Sequence, residues 1–233
     1  MKRIGVAVQT WNRLDILQTC FPTWRNIPGA VLAICDAGSD EETCDWLNEQ
    51  DVDWLYFGQD LNPAECYNRM LAMYRFDHPE IEYILLGTPD FELLPGSVEA
   101  MVKLMDESPD AGFIGWAQAN YAQFIPDDGY VREIGHECVL QRQAMWKEVG
   151  LYTESLGFYH CDSCQSTIAN QFGWHTRLVD ALLPNEAPGY VHHGRGEHSA
   201  EIVPLRAAHH QRWSEITDLF FQHWTAKIET ERP

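Results

Sequence analysis

Apolar residues in the first half of the chain come in short continuous runs. Each run is followed by a polar loop and then by apolar positions at helical spacing. Residues 3–8 (Arg-Ile-Gly-Val-Ala-Val) form such a run, followed by Gln9-Thr10-Trp11-Asn12-Arg13 and a helix-like segment through Trp24. The unit recurs with a strand at 30–35, the loop Asp36-Ala37-Gly38-Ser39-Asp40, and a helix through Asn48 with Ser39 or Asp40 as its cap. A third strand at 54–57 leads through Asp60-Leu61-Asn62 into a helix that carries Pro63 in its first turn. In the fourth unit the strand is 81–86, the loop Gly87-Thr88-Pro89-Asp90 and the helix 95–106. Four strand-loop-helix units in succession predict an α/β fold, with a mostly parallel central sheet flanked by helices on both faces. Ligands of such sheets bind beyond the carboxyl ends of the strands, and Thr10, Asp36 and Asp90 all emerge there.

The second half is less regular. The pattern predicts strands at 112–116 and 174–180, an extended segment at 130–140, a short helix at 142–149 and another helix at 163–172. Trp213, Phe220, Phe221 and Trp224 recur at near-helical spacing, which predicts a terminal helix that docks by its aromatic face. A length of 233 residues, 45% of them hydrophobic, suits one well-buried domain better than two. The expected division is a single domain over 1–203 and a helical tail over 204–233. No apolar stretch approaches the roughly 20 residues that span a bilayer, and Met1-Lys2-Arg3 runs directly into strand-like sequence without a signal-peptide pattern. Seven scattered cysteines fit a reducing compartment. The expectation is a cytoplasmic protein, and the sequence leaves its oligomeric state open. A formal charge of −19 argues against an extensive duplex nucleic-acid contact, although a metal ion and a few backbone amides can still hold a diphosphate locally.

Several segments carry chemistry-bearing residues in a particular order. Val6-Ala7-Val8-Gln9-Thr10-Trp11-Asn12-Arg13 is followed by Ile34-Cys35-Asp36-Ala37-Gly38-Ser39-Asp40 and then by Asn62-Pro63-Ala64-Glu65-Cys66-Tyr67-Asn68-Arg69. Next come Tyr83-Ile84-Leu85-Leu86-Gly87-Thr88-Pro89-Asp90, Gly157-Phe158-Tyr159-His160-Cys161-Asp162-Ser163-Cys164, and Val191-His192-His193. Over roughly residues 4–199 this order resembles the family-2 inverting glycosyltransferases, nucleotide-sugar enzymes of the Rossmann-like GT-A fold. The resemblance implies a nucleoside-diphosphate sugar as donor, Mn²⁺ or Mg²⁺ as cofactor and a hydroxyl-bearing acceptor. It further implies that Asp36 contacts the nucleotide base, that Thr10, Arg13, Asn62, Asn68 and Thr88 help bind the donor, and that Asp90 and His193, in preference to His192, hold the metal. Asp162 takes the place of the catalytic base. Thr88 stands where the family's metal motif has its first acidic residue, while the alternative register Asp90-Phe91-Glu92 supplies two carboxylates.

The chemistry accounts for these residue types. A departing diphosphate develops negative charge that a divalent cation stabilises, and a carboxylate on the opposite face of the sugar accepts the proton of the attacking hydroxyl. Structural roles compete at each position. Asp36 or Asp162 could cap the helix that follows it, and Asp90 could form a turn beside Pro89. A catalytically inactive nucleotide-sugar-binding module is the alternative from another class. A metal-dependent hydrolase built on His192, His193, Glu197 and His198 is third, since these lack the His-Glu-X-X-His spacing of a helical zinc site.

Overall fold

The computed structural model describes residues 4–116, 130–131, 134–156, 161–179 and 189–193. The expected boundary at 203 and the tail 204–233 lie outside them, as do Glu197 and His198. The first three strands, β1 (Ile4–Thr10), β2 (Val31–Asp36) and β3 (Trp54–Phe57), alternate with α1 (Leu14–Arg25), α2 (Glu41–Asn48) and α3 (Pro63–Asp77). β4 (Tyr83–Gly87), β5 (Phe91–Leu93), α4 (Ser97–Glu107) and β6 (Ala111–Gly115) follow. The second half contributes β7 (Tyr130–Val131), β8 (Cys138–Arg142), α5 (Met145–Val149), α6 (Cys161–Gln171), β9 (His175–Leu178) and β10 (Tyr190–His192). The α/β prediction holds, with element ends within a few residues of those expected.

The main sheet has the order β3-β2-β1-β4-β8-β6-β9-β7. β3, β2, β1 and β4 are mutually parallel, as the repeated units require, and β6 is parallel to β9. β8 runs antiparallel between β4 and β6, and β7 is antiparallel to β9. The sheet is therefore mixed, with its parallel half built by the first four units. Strand direction depends on how the chain crosses over, and hydrophobic pattern carries no record of that.

Side chains alternate across the pleat. On one face Val6, Val8, Leu32 and Ile34 pack against Leu17 of α1, Leu47 of α2 and Met101 and Leu104 of α4. On the other, Ala7, Ala33 and Cys35 meet Met70, Leu71 and Tyr74 of α3, and Trp146 of α5 and Ala169 of α6 extend that layer. Helix starts follow local chemistry. The Asp40 carboxylate accepts the Thr43 amide to cap α2, so the cap is Asp40 and not Asp36. Asn62 and Glu65 form a reciprocal capping box on α3, with Pro63 in its first turn. All seven cysteines are free thiols. No helix among the described residues is long and apolar enough to cross a membrane.

Gly5 is required by close packing. A Cβ there would lie 2.7 Å from a ring carbon of Tyr74, and that ring cannot retreat, because its hydroxyl donates to the carbonyls of Val6 at 2.6 Å and Val31 at 2.9 Å. Gly5→Ala is expected to destabilise the fold by about 1–3 kcal/mol through overpacking. Urea denaturation should show a lower midpoint with an unchanged m-value, and an unchanged midpoint would contradict this packing.

Candidate functional site

At the carboxyl edge of β1 and β2, Asp36 is buried under four hydroxyl and amide donors, with the Cys44 thiol a fifth, longer contact to Oδ1 at 4.0 Å. Its Oδ2 accepts the Thr10 hydroxyl at 2.9 Å and the Ser39 hydroxyl, and its Oδ1 accepts the amides of Gly38 at 3.0 Å and Ser39 at 2.9 Å. Ser39 Oγ in turn accepts the Asn12 amide at 2.7 Å, and the Asn12 side chain accepts the Asp40 amide at 2.8 Å. The loops after β1 and β2 are thereby stapled together around one carboxylate. Asn12 and Arg13 both take left-handed φ values, 53° and 58°, and Asp60 beyond β3 has φ 52°. These are the three non-glycine residues with positive φ among those described, and all lie at this edge. Such conformations persist where the surroundings enforce them, often at functional sites. Thr10 and Asp36 face inward and shape the loops, whereas Arg13 is partly exposed and pairs with Asp15 at 3.6 Å. The neighbouring Trp11 is 43% exposed.

Register places the end of β4 beside this staple, since Val8 of β1 is level with Gly87. Thr88 donates its hydroxyl to Asp90 Oδ1 at 2.6 Å and its amide to the Glu137 carbonyl at 3.0 Å. β5 continues from Asp90 and pairs antiparallel with β10, Phe91 opposite His192 and Glu92 opposite Val191. The amide of His193 reaches the Asp90 carbonyl at 2.8 Å, and its ring Nε2 meets Glu92 Oε2 at 2.8 Å. Pleat alternation puts Asp90, Glu92 and His193 on one face of this ribbon. Phe91 and Leu93 turn into the core, where the Trp24 indole donates to the Phe91 carbonyl at 2.7 Å. Glu92, from the alternative register of the acidic motif, holds the ring of His193.

Asn62 and Asn68 are engaged within the fold. Besides capping α3, Asn62 donates to the Glu154 carbonyl at 3.1 Å. Asn68 donates to the Tyr152 carbonyl at 3.0 Å and Glu154 Oε1 at 2.9 Å, and accepts the Tyr152 amide at 2.8 Å. Asp162 lies in the first turn of α6, with Oδ1 on the Ser163 amide at 2.8 Å. Burial pushes the phenols of Tyr67 and Tyr152 well above their usual range, and nearby negative groups that include Asp162 push the same way. Tyr67 also donates to the carbonyl of His136 at 3.4 Å. Glu137, next in sequence, binds Thr88, so the 136–137 segment links the Asp90 side of the site to the Asp162 side. Sequence patterns had not singled out Asn12, His136, Glu137, Tyr152 or Glu154.

No group of three potential metal-binding side chains occurs among the described residues. Asp90 supplies a carboxylate and His193 an imidazole, residue types that could hold Mn²⁺, and the two are tied through the His193 amide and the Asp90 carbonyl. A histidine held by a carboxylate, as Glu92 holds His193, is the usual support for a metal-binding imidazole. A cavity of about 360 Å³ lined by Ile4, Ile27, Val98 and Val102 lies at the start of β1, the opposite edge of the sheet from these residues.

Several solved structures share this architecture. The mannosyltransferase PcManGT from Pyrobaculum calidifontis, in complex with GDP-Man and Mn²⁺, is 15% identical with a TM-score of 0.62, over 76% of this chain and 54% of that one. S. aureus TarS 1–349 in complex with UDP-GlcNAc is 14% identical with a TM-score of 0.58, over 85% of this chain and 62% of that one. The fold is that of GT-A glycosyltransferases. The chain spans less than two thirds of these relatives' length. No family model matches the sequence, and no curated protein matches it.

His136, beneath this edge, gives the site a pH signature. Its Nδ1 bonds the Tyr152 hydroxyl, its Nε2 has no hydrogen-bond partner among the described residues, and burial lowers its pKa from 6.5 to about 3. The unfolded chain takes up a proton near pH 6.5 that the folded chain refuses until about pH 3, so stability falls as pH drops through that window. Between pH 7 and 5 the native protein should lose stability faster than His136→Asn, by up to about 1.4 kcal/mol per pH unit. Urea denaturation at several pH values checks this, and parallel pH curves would contradict it.

Proposed function

We propose that the chain transfers a sugar from a nucleoside-diphosphate sugar to a hydroxyl acceptor with inversion at the anomeric carbon. The observation that carries this reading is the shared strand edge on which the stapled β1 and β2 loops stand beside the Asp90, Glu92 and His193 ribbon. In the similar structures this fold accompanies GDP-Man with Mn²⁺ and UDP-GlcNAc.

Asp162 is the general base. It accepts the proton of the acceptor hydroxyl as that oxygen bonds to the anomeric carbon and the bond to the diphosphate breaks on the far side. Asp90 and His193 would hold Mn²⁺ or Mg²⁺, which supplies positive charge against the departing diphosphate. Glu92 orients the His193 ring, and Thr88 fixes one oxygen of Asp90. Thr10 and Asp36 act chiefly by setting the shape of the 36–40 loop against the nucleotide. A direct contact from Asp36 to the base requires one of its donors to yield a lone pair. Arg13, exposed beside that loop and paired with Asp15, is placed to meet the donor. Asn62 and Asn68 contribute through α3 and the segment they tether.

A second reading, donor binding without transfer, is favoured by Thr88 in place of a second carboxylate at the edge of β4. Asp162→Asn separates the two. The variant is expected to lose transfer on the order of 10²- to 10⁴-fold while binding donor as tightly as the native chain. Radiolabelled sugar transfer over a panel of donors and acceptors, with calorimetric donor binding, provides the measurement. Full transfer by the variant would remove Asp162 from the chemistry, and donor binding by a native chain that transfers to no acceptor would favour the binding module.

A further inference from the structure

We propose that Asn68 is a positioning residue that sets Asp162 through the 150–154 segment, an inference resting on the reading of Asp162 as general base. Asn68 is buried on α3, and its amide group grips the backbone of Tyr152 in both directions while donating to the side chain of Glu154. Tyr152 is fixed at its other end as well. Its hydroxyl accepts from Gln141 Nε2 at 2.7 Å and bonds His136 Nδ1, and its ring packs against Tyr67 and Trp146. The segment it anchors is the support of α6. Gln165 Nε2 donates to the Gly150 carbonyl at 2.9 Å, and Thr153 Oγ1 lies 3.8 Å from Cys164 Sγ. Both contacts fall on the first turns of the helix that carries Asp162, and Cys161 beside it is buried.

A continuous path of packed and hydrogen-bonded groups thus runs from Asn68 through residues 150–154 to the start of α6. Its inner members, Asn68, Tyr152 and Gln165, are buried and held by hydrogen bonds, so the path is stiff where it leaves α3 and where it meets α6. α6 starts at Cys161 with Asp162 next, and the placement of that carboxylate depends on how this turn is held. A displacement of about 1 Å at a reacting group can cost on the order of 100-fold in rate. Removing the Asn68 amide releases the backbone of Tyr152 and the side chain of Glu154 together and loosens the support of α6.

The test compares the native chain with Asn68→Ala, Asn68→Asp and the double variant Asn68→Asp/Glu154→Gln. Asn68→Asp keeps the acceptor for the Tyr152 amide but sets a carboxylate against both the Tyr152 carbonyl and Glu154. In the double variant the new amide at 154 donates to the new carboxylate at 68 and restores that link with reversed polarity. Asn68→Ala and Asn68→Asp are expected to lower kcat by about 10- to 100-fold with donor KM unchanged. They should also speed hydrogen exchange at the amides of residues 165–168, and the double variant should recover the part of both losses that belongs to the Glu154 link. A fall in kcat matched by a rise in donor KM, unchanged exchange in a folded single variant, or no recovery in the double variant would overturn the proposal. Should Asn68→Ala fail to fold, by circular dichroism, the other two variants decide. A native chain without transfer would refute the assignment of Asp162, and the exchange measurement would still decide whether Asn68 controls α6.

Discussion

The site is organised around one buried carboxylate that its own chain fully satisfies. Removing a charge from water is costly unless hydrogen bonds replace the lost hydration. Asp36 receives that replacement from β1 through Thr10, from its own loop through the amides of Gly38 and Ser39, and from the Ser39 hydroxyl. Because every lone pair is taken, the two loops cannot shift independently. Ser39 passes the constraint on to Asn12, and Asn12 to Asp40, which caps α2. The left-handed turn at Asn12 and Arg13 is the conformational consequence. Rigid loops at the end of a parallel sheet give a surface already shaped for a ligand, at little further entropic cost on binding.

The Asp162 side repeats the device with neutral groups. Asn68 takes the place of Asp36, and the Tyr152 backbone takes the place of the loop amides. Between the two halves lies the 136–137 segment, bonded to Thr88 by one carbonyl and to Tyr67 by the other. His136 remains neutral there because burial opposes its protonation. The carboxylates that face the proposed chemistry, Asp90 and Asp162, are each supported by an inner layer of packed and hydrogen-bonded side chains. Such support keeps reacting groups within the narrow tolerance that catalysis demands.

Much of the parallel half of the fold was legible in the sequence, because buried strands make continuous apolar runs and helix starts carry their caps. The positions of Thr10, Asp36 and Asp90 at the strand ends followed from the same pattern. What escaped was whatever depends on long-range pairing. Glu92 and His193 are 101 residues apart, and no local signal says that β10 lies beside β5 or that β8 runs antiparallel. Asn68 shows a different limit. Its residue type and place in the order of motifs suggested a donor contact, but a sequence does not name the partner of an amide, and here the partner is Tyr152. His136 and Tyr152 carried no signal at all, because a buried polar pair looks like any other histidine and tyrosine until the chain is folded.

The proposed transfer requires a nucleoside diphosphate to bind at this strand edge together with a divalent cation at Asp90. Calorimetric titration of the native chain and of Asp90→Ala with UDP and with GDP, each with and without Mn²⁺, tests that directly. The predicted result is Mn²⁺-dependent binding of at least one diphosphate by the native chain, lost in Asp90→Ala. Absence of binding to either diphosphate with Mn²⁺ present, or equal binding by the variant, would contradict it.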